Sequence, residues 1–239
     1  MIIEAQQLNY QQLNQKVKDC KEPAIQIKGC MGHRFIAAGS KGKHISIQGI
    51  PGNALGCYLN GSTITVEGNA QDATGDTMNQ GCIVVKGSVG DAAGYAMRGG
   101  CLLVRGNAGY RCGIHMKSYQ EQVPAIVIGG NAGSFLGEYQ AGGIIIVLGL
   151  DNQYPLTGNF CATGMHGGKI FLRTAQKPTN LPSQVVATQA SQQDLSSIQK
   201  YIQQFCDAFG TDISTILNHS FYILTPNTQN PYKQLYTHC

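Results

Sequence analysis

The chain has 239 residues, 31 of them glycine, with Lys+Arg 17 against Asp+Glu 13 and a net charge of +4. Hydrophobic residues are 42% and charged residues only 13%, against a usual ~25% charged. This composition excludes intrinsic disorder, and the charge is too mild for nucleic acid or an anionic membrane as the main partner. No apolar run reaches the ~20 residues of a spanning helix, and the start shows no basic region followed by an apolar stretch, so a cytoplasmic chain is expected.

Residues 8–20 read as a short helix with Tyr10, Leu13 and Val17 on one face, placed to cover the open edge of the first coil. From there the chain is a repeat. Thirty of the 31 glycines lie between Gly29 and Gly168. Gly49, Gly68, Gly87 and Gly106 are 19 residues apart, as are Gly130 and Gly149, and the step between Gly106 and Gly130 is 24. Seven residues after five of them comes a second glycine, at Gly56, Gly75, Gly94, Gly113 and Gly137. Four and two residues before each repeat glycine stand aliphatic pairs: Ile45/Ile47, Ile64/Val66, Ile83/Val85, Leu102/Val104, Ile126/Ile128 and Ile145/Val147. Ile25/Ile27 and Ile170/Leu172 fit the same template. Alternation places each pair on one face of a strand, and the repeat stacks the pairs one strand spacing apart. So many glycines disfavour helical repeats, since each costs roughly 1 kcal/mol inside a helix.

The expected fold class is therefore all-β, a right-handed parallel β-helix of about 19 residues per coil and about seven coils, with short flanking helices. The handedness rests on the general crossover preference. The expected organisation is a capping helix in 1–24, the glycine-rich β-helix in 25–174, and a linker, helices and an extended tail in 175–239. Leu59, Met78, Met97, Met116, Gln140 and Met165 make a further interior column, and Asn69, Ser88, Asn107 and Asn131 a column of corner residues able to hydrogen-bond along the stack.

Three residues before the repeat glycines, pointing outward by parity, are Ser46, Thr65, Val84, Leu103, Val127, Ile146 and Phe171. The last five form an apolar ladder that needs a cover. One candidate cover is the second predicted helix. It begins at the Ser191/Asp194 capping box, carries Leu195, Ile198, Ile202, Phe205 and Phe209 as its stripe, and stops at Gly210. The other is a partner subunit or self-association, which makes Val84, Leu103, Val127, Ile146 and Phe171 interface candidates. Residues 212–218 read as one or two more helical turns, and the tail beyond as extended.

Chemistry-bearing residues are few. Asp72 and Asp91 hold the same position in adjacent repeats, above Asn53. The pair could share a proton or a cation as a catalytic site, or simply suit a tight corner. Arg98, Lys117 and His166, in line with Asn60 and Asn79 and near Arg111 and His115, suit an anion site or, more readily, a charged stripe facing a partner. The nine cysteines include no CxxC pair, so neither an iron–sulfur cluster nor a zinc site is expected, and no cofactor-binding or metal-binding residue is assigned.

The runs GNAQDATGDTMNQGCIVVKG, GYAMRGGCLLVRG, GYRCGIHMK, GGNAGSFLGEYQAGG and TGMHGGKI resemble the GXGXG domain at the C-terminus of the glutamate synthase large subunit, most closely its versions encoded as separate polypeptides. The tail PYKQLY is similar to theirs. The GXGXG-type subunit of formylmethanofuran dehydrogenase shares the repeat and is the nearest alternative. The resemblance implies a non-catalytic assembly subunit that holds glutaminase and FMN-binding synthase subunits together, with FMN and iron–sulfur clusters in those partners and none in this chain. Gln140 departs from the pattern, which has Met there. The chain itself has no N-terminal cysteine nucleophile, no alternating βα pattern of a barrel and no cysteine cluster. The remaining alternative is a solitary β-helix enzyme using Asp72 and Asp91.

Overall fold

The aliphatic pairs become the strands that the alternation predicts. The computed structural model describes residues 1–151 and 155–227; the PYKQLY run and Cys239 lie outside the described residues. The strands are β1 (Ile2–Glu4), β2 (Ala24–Met31), β3 (His44–Ile50), β4 (Asn60–Val66), β5 (Gln80–Val85), β6 (Cys101–Val104), β7 (Ala125–Ile128), β8 (Ala141–Val147), β9 (Gly167–Arg173), β10 (Val185–Gln189) and β11 (Phe221–Pro226). The helices are α1 (Tyr10–Asp19), α2 (Gln192–Phe209) and α3 (Ile213–Leu217).

All of the strands belong to one eleven-stranded sheet. β1 to β9 follow one another in chain order, parallel, and β11 then β10 complete the sheet antiparallel. The register is that of the repeat: Ile45↔Ile64, Ile64↔Ile83, Ile83↔Leu102, Leu102↔Ile126, Ile126↔Ile145 and Ile145↔Ile170.

This corrects the expected class. The hydrogen bonding makes a single open, mixed sheet with helices beside it, an α/β-like arrangement and not the all-β right-handed parallel β-helix anticipated. The physical reason lies in the connections. Between strands the chain runs through turns, and outside the sheet neighbouring repeats meet at isolated parallel bridges such as Ala70↔Val89, Val89↔Ala108, Ala108↔Ala132 and Ala132↔Thr157. Three alternate residues of each connection adopt left-handed φ, for example Arg111 (59°), Gly113 (71°) and His115 (56°). Left-handed residues interrupt extended backbone, so no further sheet forms there.

Two hydrophobic layers result. On one face, both interior columns are at most 3% exposed and join Leu59, Met78, Met97, Met116 and Met165. Each such side chain contributes about 1.5–3 kcal/mol by leaving water. Leu13 and Val17 of α1 close this layer at its first end, and Val185 and Leu224 join it from the last strands. α1 starts at a capping box between Asn9 and Gln12. Gln140 is fully buried in the Met column, and its Nε2 donates to the carbonyls of Gly142 and Gly143 at 3.1 Å each. The corner carbonyls thus satisfy the amide nitrogen of the polar replacement, while its buried Oε1 has no hydrogen-bond partner among the described residues.

On the other face, Leu103, Val127, Ile146 and Phe171 pack with Ile198, Tyr201, Ile202 and Phe205 of α2, Ile216 of α3, and Phe221 and Ile223 of β11. The capping box of Ser191 and Asp194 starts α2, and Gly210, at φ 68°, ends it. Lys169 of β9 pairs with Asp194 at 3.3 Å. The hydroxyl of Ser191, with help from Lys169, holds the Asp194 carboxyl below the usual carboxylate range. Two strands were not anticipated. β1 pairs with β2, and β10, inside the proline-broken linker, pairs with β11.

Candidate interaction surface

The left-handed turns determine what the connections display. In each of the five inner repeats the middle residue of the triplet is glycine. At Gly113 a Cβ would meet Ile145 Cδ1 at 2.5 Å in addition to the positive φ, so the sheet-facing layer leaves no room for a side chain. The residues two before and two after it also take left-handed φ. One column is Phe35, Ala54, Ala73, Ala92, Arg111, Phe135 and Phe160; the other holds Tyr58, Thr77, Ala96, His115 and Tyr139. Non-glycine residues pay of order 1–3 kcal/mol each for this conformation.

These columns, with Tyr95 and Tyr110 beside them, carry an aromatic strip across consecutive repeats. Tyr110 meets Phe135 edge-on at 5.2 Å, and Phe135 meets Phe160 at 4.8 Å. His115 stacks on Tyr139 at 5.3 Å, with 10° between the planes, and receives Tyr95 edge-on at 5.9 Å. The Arg111 guanidinium lies 4.8 Å from the Tyr110 ring and 5.4 Å from Phe135, and its Nε is 2.8 Å from Glu138 Oε2. Glu138 is 6% exposed, whereas Phe160 is 59% and Tyr95 40% exposed. The rings are thus ordered against one another and against an ion pair whose Glu138 is buried and whose Arg111 side chain is partly exposed, yet all but the half-buried Phe135 stay open to solvent. At the first end Arg34 lies over Tyr10, which touches Phe35. Aromatic rings with an arginine among them are the composition of protein–protein interface centres.

The two aspartates singled out in the sequence form a column of their own. Asp72 Oδ1 accepts the backbone N–H of Asp91 at 2.9 Å, and Asp91 Oδ1 accepts that of Tyr110 at 2.8 Å. Asn69, Ser88 and Asn107 do the same for Ser88, Asn107 and Asn131. The two aspartates are therefore links in a ladder along the stack, each committed to the next backbone amide. Asp72→Ala is expected to cost about 1 kcal/mol, lowering the melting temperature by about 2–4 °C. Asp72→Asn, which keeps the acceptor, should melt like the parent in the same thermal scan.

Arg98 turns back to the Ala96 carbonyl at 3.2 Å, and His166 Nδ1 lies 3.0 Å from the Gly164 carbonyl. Lys117 is exposed. Arg111 and His115, expected beside that column as an anion site, belong instead to the aromatic strip. Of the apolar interface candidates, Leu103, Val127, Ile146 and Phe171 are at most 1% exposed beneath α2. The chain's own helix takes that face from a partner, and only Val84, at its margin, remains half-buried. The strip itself was missed in the sequence. Its signal was there, as bulky residues two before and two after the second glycine of the repeat.

A cleft of about 440 Å³ lies between residues 155–161 and 174–181. Its ionisable groups are Lys177 and Cys161, whose thiol burial pushes up to about 12, so it holds no acid–base pair. Among the described residues no group of three or more His, Cys, Asp or Glu could hold a metal ion. No helix there is long and apolar enough to cross a membrane.

Fold and surface together define a repeat protein that presents an ordered aromatic face. The chain belongs to the GXGXG motif family, whose model matches residues 4–227. It is 41% identical over 251 residues to the uncharacterized protein MJ1350 of Methanocaldococcus jannaschii, covering 99% of this chain and 96% of that one. A similar solved structure is a chain of the formyltransferase/hydrolase complex FhcABCD from Methylorubrum extorquens, crystallised with methylofuran. The TM-score is 0.63 at 21% identity, over 87% of this chain and 80% of that one, a likeness of fold. The resemblance to the GXGXG domain carried by the glycine runs is thereby established at the level of the family.

Proposed function

We propose that this chain is a non-catalytic assembly subunit of a multi-subunit complex, and that its aromatic strip is the surface on which a partner subunit seats. The observation that carries this reading is the exposure of Tyr95, Tyr110, Tyr139 and Phe160, held with the half-buried Phe135 in ring contacts around the Arg111–Glu138 pair. An exposed apolar strip costs solubility unless it is used. Family membership agrees with the reading, and so does the similar fold within a formyltransferase/hydrolase complex.

In its finer form, the complex is a glutamate-synthase-like amidotransferase of the cytoplasm. The partners are glutaminase and FMN-binding synthase subunits, which carry the FMN and the iron–sulfur clusters. The run of motifs from YAMRGG through GIHMK to TGMHGG supports it. The second reading, the place of the GXGXG-type subunit in a formylmethanofuran dehydrogenase complex, is favoured by the fold match.

The test is co-expression of the tagged chain with each set of partner subunits. Copurification with the glutaminase and synthase subunits is expected. Capture of the formylmethanofuran set in its place would decide for the second reading, and capture of neither would refute both. The double variant Phe135→Ser/Tyr139→Ser should melt as a folded protein but bind its partner at least about tenfold more weakly, as loss of central interface aromatics does.

A further inference from the structure

Cys82 and Cys101 face each other in register on the parallel strands β5 and β6. Their sulfurs are 2.9 Å apart, closer than two unbonded sulfurs normally pack. Neighbouring strands lie about 4.8 Å apart, inside the ~4.4–6.8 Å window of Cα separations that a disulfide spans. Both thiols are free. The hydrogen bond between them favours the thiolate of Cys101 and raises Cys82, while burial opposes ionisation. Cys112 and Cys161 differ: they are fully buried, and burial alone pushes their thiols up to about 12. The pair sits where the cover of α2 ends. Cys101 and Leu103 are buried beneath it, while Cys82 and Val84 are half-buried at its margin, which leaves a small oxidant a route in.

We propose that Cys82 and Cys101 form a reversible dithiol–disulfide site that a peroxide closes between neighbouring repeats. The Cys101 thiolate attacks a peroxide oxygen and the O–O bond breaks. Hydroxide leaves and takes the Cys82 proton as water, so that Cys101 becomes a sulfenic acid. The Cys82 sulfur then attacks the sulfenic sulfur. The S–S bond forms, the S–O bond breaks, and hydroxide leaves with a proton as a second water. Two thiols and one hydrogen peroxide thus give one disulfide and two waters.

Hydrogen peroxide on the full-length protein is the test. Trypsin cuts after Lys86 and Arg98, between the two cysteines, so an unreduced digest reports the bond as a linked pair of peptides. The expected result is loss of two of the nine thiols, a Cys82–Cys101 linkage, and its reversal by dithiothreitol. Neither Cys82→Ser, at the half-buried position, nor Cys101→Ser should form it. Cys82 driven to the sulfinic acid without linkage, linkage through another cysteine, or no thiol loss would each overturn the proposal.

Discussion

Replacing Val104 by aspartate is expected to abolish cooperative folding. Val104 is fully buried and stands between Val85 and Ile128 in the interior column. Its neighbours are aliphatic, so a carboxylate there finds neither a cation nor water. An unpaired buried charge costs several kcal/mol even after relaxation, against a total stability of about 5–15 kcal/mol for a typical domain. Val104→Ala separates charge from lost packing. It should cost about 2 kcal/mol, lower the melting temperature by several degrees, and leave a single transition. Circular dichroism melts of the two variants make the comparison. A soluble Val104→Asp chain with a sharp transition would mean that this column does not face the interior, and the register Val85↔Val104↔Ile128 would fail with it.

That column was legible because two periods agree on it. Alternation fixes the face of each strand, and the 19-residue step fixes which residues become neighbours; Ile64, Ile83 and Leu102 then have one possible register. The stripe of α2 was legible for the same reason, since Ile198, Ile202 and Phe205 recur at helical spacing and all three are buried. The connections were not. Ala54, Tyr58, Arg111 and His115 all take left-handed φ, a conformation that no ordinary side chain favours and that only the stacked neighbours impose. The expectation of coils turning at glycines did not include these left-handed non-glycine residues, and the class expected from it was wrong. The same turn geometry hid the aromatic strip: the charges of Arg111 and His115 are legible, but their place among Tyr95, Tyr110, Phe135 and Tyr139 depends on the left-handed turns. β10 was hidden differently. Val185–Gln189 follows two prolines and reads as linker, and it becomes a strand only because β11 returns beside it.

Truncation after Thr174 is expected to make the chain aggregate or bind a hydrophobic dye more strongly than the parent does. The cut removes α2, α3, β10 and β11. The 18 residues of α2 span about 27 Å at 1.5 Å each, enough to cross five strands about 4.8 Å apart. Beneath it Leu103, Val127, Ile146 and Phe171 are at most 1% exposed, and uncovering four such side chains forfeits about 6–12 kcal/mol of burial. The loss of β11 also leaves β9 as a bare edge, with Phe221↔Arg173 and Ile223↔Phe171 unpaired, an invitation to strand addition between molecules. Phe205→Ala tests the cover without opening that edge. Phe205 is fully buried in the contact, and its loss should cost about 3–5 kcal/mol, a fall of about 10 °C in melting temperature, with the oligomeric state of the parent unchanged. Light scattering and dye fluorescence on the 1–174 chain, beside the melt of Phe205→Ala, give the answer. A monomeric, dye-negative 1–174 chain would show that the apolar ladder is shielded by something other than α2. A Phe205→Ala variant as stable as the parent would show that the helix rests on the sheet without holding it.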